Sequence, residues 1–157
     1  GQNSVEGKLA SIFAGTRSAL KYSVNSPACN KGALAALNAG SGVCEEYASL
    51  FVALCRAAGI PSRLVIGYGR GSTSYDKAWT PATNNLGKYR HAWAEAYVAG
   101  YGWATFDPTL NRAALPGIAA GQIPSGTLIA ESYRNRSMNT AYVGGRVQAN
   151  WQQTVTW

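Results

Sequence analysis

Histidine is almost missing from this 157-residue chain, His91 being its one example. Chemistry that needs two or three imidazoles, such as a His-rich zinc site, is therefore excluded. The chain has three cysteines, Cys29, Cys44 and Cys55, and no Cys-x-x-Cys pair that would serve a zinc knuckle or a dithiol couple. An odd number leaves at least one thiol outside any intramolecular disulfide. Charge is scarce too: 13% of residues are Asp, Glu, Lys or Arg, against about 25% in an ordinary soluble domain. No apolar run approaches the roughly 18 residues of a membrane span, and the start carries no basic-then-apolar leader. Gly1 fits a position left after removal of such a leader. Disorder is excluded from the other side, because 46% of the residues are hydrophobic. The expectation is one domain over residues 1–157. At that size it buries about 70% of its unfolded surface and needs no metal or disulfide staple. No metal and no cofactor is expected.

The apolar positions then set out the elements. Val5, Leu9, Ile12, Phe13, Thr16 and Leu20 recur at intervals of three and four, which predicts a helix with one buried face. A short helix is predicted from Ala33 to about Asn38, ended by Asn-Ala-Gly-Ser-Gly. Val43, Tyr47, Leu50, Phe51, Leu54, Cys55 and Ala58 make a second clear stripe, with Glu45 and Glu46 in the first turn and Gly59, Ile60 and Pro61 as its stop. Arg63 to Tyr68 reads as a strand. A long polar segment follows from Gly69 to Arg90, of a length that more often serves binding than mere connection. His91 to Val98 alternates His, Trp, Glu and Tyr on one face with Ala, Ala, Ala and Val on the other, and Ala99-Gly100 joins it to a run from Gly102 to Asp107, a hairpin. The alanine side suits close approach of a helix. Beyond Pro108 the chain reads as loop to about Gly126, with strand candidates at 127–130, 141–147 and 151–157. Helices and a hairpin in this order give an α+β fold.

Cys44 falls at the N-terminus of the second helical stripe, where unpaired backbone N–H groups and the helix dipole favour a thiolate at neutral pH. If the hairpin pairs odd positions with odd, His91 and Asp107 project from one face side by side. A carboxylate there would fix the imidazole tautomer and stabilise the imidazolium. Nucleophile, base and orienting acid thus each have a place. The alanine face and the His91 face are opposite, so the helix either covers the sheet or packs over the hairpin end.

The segments GVCEEYASLFVALCRAAGIPSRLVIGY at 42–68, HAWAEAYV at 91–98 and GWATFDPT at 102–109 resemble, in that order, the bacterial transglutaminase-like superfamily. The resemblance covers a motif core of about residues 42–110 and, more loosely, the ending with Glu-Ser-Tyr-Arg and Val-Thr-Trp. It implies a papain-like transglutaminase core, with the nucleophile helix packed on an antiparallel sheet. It also implies a triad of Cys44, His91 and Asp107 that attacks a carboxamide or peptide carbonyl through a thioester. The partner implied is a peptide or protein amide. Hydrolysis, by a cysteine peptidase or amidase, is favoured because nothing marks a lysine-binding tunnel. The alternatives are a protein-glutamine transglutaminase with an amine acceptor, or a protein- or cell-wall-binding module that keeps the fold. Cross-linking members place an oxyanion tryptophan well upstream of the cysteine, whereas the first tryptophan here is Trp79. The Cys44 amide and Asn38, six residues earlier, are the donor candidates.

Tyr68, near the strand exit, and Trp93, on the His91 face, are candidates for bordering substrate. Glu95 shares that parity and is by default a surface strand glutamate. Cys55 lies about 16 Å along the helix from Cys44 and belongs to the core, and Cys29 is either free or paired with Cys55. The net charge of +7 comes from scattered cations, so no nucleic-acid partner is expected. Low Lys and Glu with abundant Gly, Ser, Thr and Asn point to an extracytoplasmic protein, while a reactive unpaired thiol leans the other way.

Overall fold

The computed structural model describes residues 3–69, 89–123 and 128–134. The predicted long segment from Gly69 to Arg90 and the strand candidates at 141–147 and 151–157 fall wholly or mainly outside them.

Three helices precede the main sheet. α1 (Val5–Ala19) starts at Ser4, whose Oγ accepts the Gly7 amide at 3.0 Å, and it buries Leu9, Phe13 and Thr16 on one stripe. α2 (Ala33–Ala39) is short, and α3 (Cys44–Ala57) carries the apolar stripe that the spacing predicts. Between them β1 (Lys21–Tyr22) pairs in parallel with β2 (Ser41–Gly42). After α3, Gly59 takes φ +77°, where a side chain would be strained, and the Ile60 amide turns back to the Cys55 carbonyl at 2.8 Å. Ile60 is thereby buried against the helix it terminates.

The sheet runs β7-β6-β5-β4-β3-β8, with β3 (Ser62–Gly69), β4 (Arg90–Val98), β5 (Gly102–Asp107), β6 (Arg112–Ala113), β7 (Gly121–Gln122) and β8 (Leu128–Arg134). β5, β4, β3 and β8 pair antiparallel, as expected for the sheet under the helix, while β6 and β7 pair in parallel at one edge and make the whole sheet mixed. Two-residue strands are too short for an alternating pattern to announce. β8 extends past the expected 127–130 because it pairs with β3 throughout. A register shift between Ile66 and Gly67 leaves Glu131 as the extra residue on β8, and that bulge breaks the period of two in the sequence. At Gly67 a Cβ would lie 2.1 Å from the Ile129 carbonyl oxygen and 2.8 Å from Trp93 Cη2, so only glycine lets the strands meet there.

α3 lies on the alanine face. Ala92, Ala94, Ala96 and Ala104 give it a shallow bed, into which Ala48, Phe51, Val52 and Cys55 pack. Phe51 meets Phe13 edge-on at 6.0 Å and Phe106 at 5.1 Å, joining α1, α3 and β5. On its other side Tyr47 and Leu50 pack with Leu20, Ala28 and Ala36. Each large apolar side chain so buried contributes about 1.5–3 kcal/mol. Hydrogen bonds at the far end fix the direction of the helix: Ser62 Oγ donates to the Val52 carbonyl at 3.1 Å, and Arg56 Nη2 donates to the Ser62 carbonyl at 2.9 Å. The C-terminus of α3 therefore sits at the start of β3, and its N-terminus at the opposite end, where β4 begins. Among the described residues no helix is long and apolar enough to cross a membrane.

Glu46 anchors that N-terminus. It is fully buried, its Oε2 accepting the Val43 amide at 3.1 Å and its Oε1 the Asn30 amide at 2.8 Å. The aliphatic part of the same side chain leaves no room at Gly42, where a Cβ would fall 2.3 Å from Glu46 Cβ. Replacing Glu46 by Ala strands two buried amides. We expect Glu46→Ala to lower the unfolding free energy by about 3 kcal/mol, read as a fall in the urea midpoint, with Glu46→Gln losing less.

Candidate active site

Cys44 occupies the first turn of α3, half-buried, and its surroundings resolve the question of opposite faces. The β4–β5 ladder reaches only to Ala94↔Phe106. Two pairs further on, Ala92 would face Pro108, which has no N–H to give. Into this opening the α3 N-terminus brings the thiol, which takes the backbone amides of Ala92 and Glu45 as its hydrogen-bond partners. The helix thus covers the alanine face and also closes the hairpin end.

The expected thiolate is not the resting state. Burial pushes the Cys44 thiol up to about 11; the Ala92 and Glu45 amides oppose this, while the carboxylates of Asp107 and Glu45 add to it. Desolvation and two nearby acids outweigh the helix terminus, whose influence falls off within a turn.

His91 Nε2 and Asp107 Oδ2 lie 2.5 Å apart. The hairpin register that does this pairs Glu95 with Thr105 and Tyr97 with Trp103, odd with odd. Asp107 is fully buried, and its Oδ1 accepts the Leu110 amide at 3.1 Å, with the Thr109 amide as a second donor. Burial shifts both partners toward their neutral forms, lowering His91 and raising Asp107. For Asp107 the amides of Leu110 and Thr109, then Arg112 and Arg17, work against that rise. Trp93, 2% exposed, stacks on the imidazole with ring centroids 6.2 Å apart. It supports the His91 ring from beneath.

The remaining candidates are scattered around this centre. Tyr68 Oη donates to Glu131 Oε1 at 3.1 Å and accepts from Arg90 Nη1 at 3.3 Å, while Arg90 also pairs with Glu131. The bulged residue of β8 is thus tied to the residue that precedes His91. Asn38 is exposed on the last turn of α2. Glu95 is committed to Arg63 at 2.6 Å, and that guanidinium lies between the rings of Trp103 and Tyr133 at 4.0 and 4.2 Å. None of the three cysteines is in a disulfide, so the Cys29–Cys55 pairing is not present, and Cys55 is fully buried in the core.

Three neighbours of the site were not legible in the sequence. Tyr22, brought beside Gly42 by the β1–β2 pairing, has its phenol raised by burial and then by the charges of Cys44 and Cys29. Arg17 crosses from α1 to the turn after Asp107. Glu46 showed only as a first-turn acid. None of these follows from periodicity, because each acts through a long-range contact.

A sequence model of the transglutaminase-like superfamily matches residues 1–108. The chain is 40% identical over 76 residues to a protein-glutamine gamma-glutamyltransferase of Pseudomonas aeruginosa, a match covering 46% of this chain and 10% of that protein. It is likewise 40% identical over 74 residues to the protein YebA of Bacillus subtilis, covering 43% of this chain and 9% of that one. Among solved structures, a proposed cysteine protease from Cytophaga hutchinsonii superposes with a TM-score of 0.58 at 25% identity, covering 85% of this chain and 38% of the other. The periplasmic domain of TgpA from Pseudomonas aeruginosa gives 0.51 at 28% identity, with 67% and 36% covered. The chain thus spans about a tenth of those two sequence relatives and little over a third of those solved chains. The helix N-terminus set against a hairpin is the family's α+β core, and this chain belongs to the transglutaminase-like superfamily.

Proposed function

We propose that the chain is a thiol acyl-transfer enzyme acting on amide bonds of peptides or proteins, working as a cysteine peptidase or amidase through Cys44, His91 and Asp107. The observation that carries this reading is the 2.5 Å His91–Asp107 contact beside the thiol at the start of α3. With Nε2 committed to the carboxylate, Nδ1 is the nitrogen that serves the thiol. Sγ attacks the carbonyl carbon and forms the C–S bond as Nδ1 takes the thiol proton. The N–H of Cys44, at the first position of α3, meets the oxyanion, and Asn38 is the candidate second donor. His91 then gives its proton to the departing amine or ammonia, the C–N bond breaks, and a thioester remains. Water, deprotonated by His91, forms the C–O bond and releases the thiol.

Transamidation is the second reading, because the relative from Pseudomonas aeruginosa is named as a protein-glutamine gamma-glutamyltransferase. There an amine replaces water at the thioester. Tyr68, held by Arg90 and Glu131, is the candidate for bordering substrate in either case. We place the protein outside the cytoplasm, on its composition and its similarity to a periplasmic domain.

The deciding assay offers the protein a peptide library together with a labelled primary amine. Cleavage or ammonia release without label is expected, and label incorporation selects transamidation. Cys44→Ala and His91→Ala should each abolish either product, at least about 100-fold, with thermal melting unchanged. Turnover that survives in both variants excludes the mechanism.

Asp107→Asn tests the orientation of the imidazole. Because Oδ1 faces the Leu110 amide, the new amide group must keep its oxygen there and present its NH2 to Nε2. The proton then resides on Nδ1, where no base remains for the thiol. We expect kcat to fall at least about 100-fold with the fold intact; near-normal kcat contradicts the assignment.

The pH dependence has a definite sign. Asp107 must be anionic to accept from Nε2, and burial raises it, so activity is lost as pH falls through a value well above the ordinary carboxylate range. Iodoacetamide alkylation of Cys44, followed by mass spectrometry, should show this acid limb. It should also keep rising above neutrality, as a buried thiol requires. A plateau already complete at pH 6 would mean a preformed thiolate.

A further inference from the structure

The turn that presents Asp107 is gripped from two sides. On the inside, Asp107 Oδ1 accepts the amide of Leu110, and the Thr109 amide is a second donor to the carboxylate. On the outside, Arg17 Nη1 donates to the carbonyl of Pro108 and, at 3.3 Å, to that of Thr109. The peptide dipoles of the turn therefore point their N–H ends at the carboxylate and their C=O ends at a guanidinium. Arg17 is half-buried on the last turn of α1, one residue beyond Thr16, which is fully buried with its Oγ1 bonded to the Ile12 carbonyl at 2.8 Å. Its helix is thus seated in the core while its side chain spans to the site.

We infer that Arg17 is a positioning residue for the acyl transfer: by holding the Pro108 and Thr109 carbonyls it sets the turn so that Asp107 meets His91 Nε2. This rests on the triad reading above. Arg17 touches neither thiol nor imidazole and acts only through Asp107. Among the described residues, the charged and titratable groups that face Asp107 include His91 from β4, Cys44 from α3, Arg112 from β6 and Arg17 from α1. Arg112 Nη1 is already spent on the Gln122 carbonyl at 2.8 Å, so it is a poor substitute for the lost grip. Burial favours protonated Asp107; the turn amides oppose it first, and the two arginines add to them. Removing Arg17 deletes one opposing charge and loosens the amides that supply the larger part. Asp107 then takes up its proton at higher pH, and the acid limb of activity moves upward.

The test uses the full chain with Arg17→Ala, Arg17→Gln and Arg17→Lys. Readouts are kcat and KM on an amide substrate of the wild type, the pH profile of Cys44 alkylation by iodoacetamide, and the melting temperature. We expect Arg17→Ala to lose about 10- to 100-fold in kcat with KM nearly unchanged, and its acid limb to rise by about half a pH unit or more. Arg17→Lys, which keeps the charge and a donor, should recover most of both, and Arg17→Gln should recover kcat in part while leaving the limb shifted. A folded Arg17→Ala with wild-type kcat and limb overturns the inference. So do kcat losses that merely follow the melting temperatures of the three variants with the limb unmoved. If the alanine variant does not fold, the comparison of Lys with Gln decides. The alkylation arm needs no substrate, so it still judges Arg17 if the wild type turns over no amide, a result that overturns the triad reading instead.

Discussion

The site depends on a place where a sheet stops being a sheet. β4 and β5 are laddered up to Ala94 and Phe106, and continuation would set Ala92 against a proline. A strand edge left open inside a fold must satisfy its amides some other way. Here the amide of Ala92 turns to the Cys44 sulfur, and the helix that carries the sulfur fills the opening. The four alanines beneath α3 allow its axis to come close, and Glu46 fixes the height at which its first turn ends. His91 then needs no unusual backbone to stand near the thiol. It is the residue before Ala92, and its ring leans on Trp93.

Electrostatics in this opening set a limit on the chemistry. A helix N-terminus alone would favour a thiolate, but partial burial and two nearby carboxylates push the thiol up and favour the proton on sulfur. Separated charge in such a place is costly unless each member is hydrogen-bonded. In the proposed mechanism the proton leaves the thiol during attack, when the developing oxyanion and the imidazolium would be stabilised together by the Cys44 amide and by Asp107. A substrate that adds dipoles to the cleft shifts the balance further toward ionisation.

The parts of this arrangement that could be read from the residues share one property: they are local. The stripe ending at Cys55 and Ala58, the Gly59–Pro61 stop and the parity of His91 with Asp107 each follow from spacing within a helix or a hairpin, and α3, β4 and β5 form accordingly. Where the helix would sit relative to two opposite faces was not legible, because it turns on a ladder that ends at Phe106, short of Pro108, a tertiary fact. The parallel β6–β7 edge and the Glu131 bulge escaped for the same reason. The thiolate expectation failed through magnitude: dipole and desolvation act on the same sulfur, and only the depth of burial says which is larger. Arg17 was invisible because its partners are carbonyls, which every sequence has everywhere.

That last point bears on why the acid is aspartate. A neutral amide at this position could accept from Nε2 only if its oxygen faced that nitrogen, and the Leu110 amide already requires an acceptor at Oδ1. Two acceptors are needed from one planar group, and a carboxylate alone supplies both. The demand for an anion in a dry place then requires compensation from outside the turn, which the two arginines provide through charge and, in the case of Arg17, through the carbonyls it holds. A chain with few ionisable groups has accordingly placed cations on α1 and β6 around one carboxylate on β5, so the charge of Asp107 depends on elements beyond the hairpin that carries it.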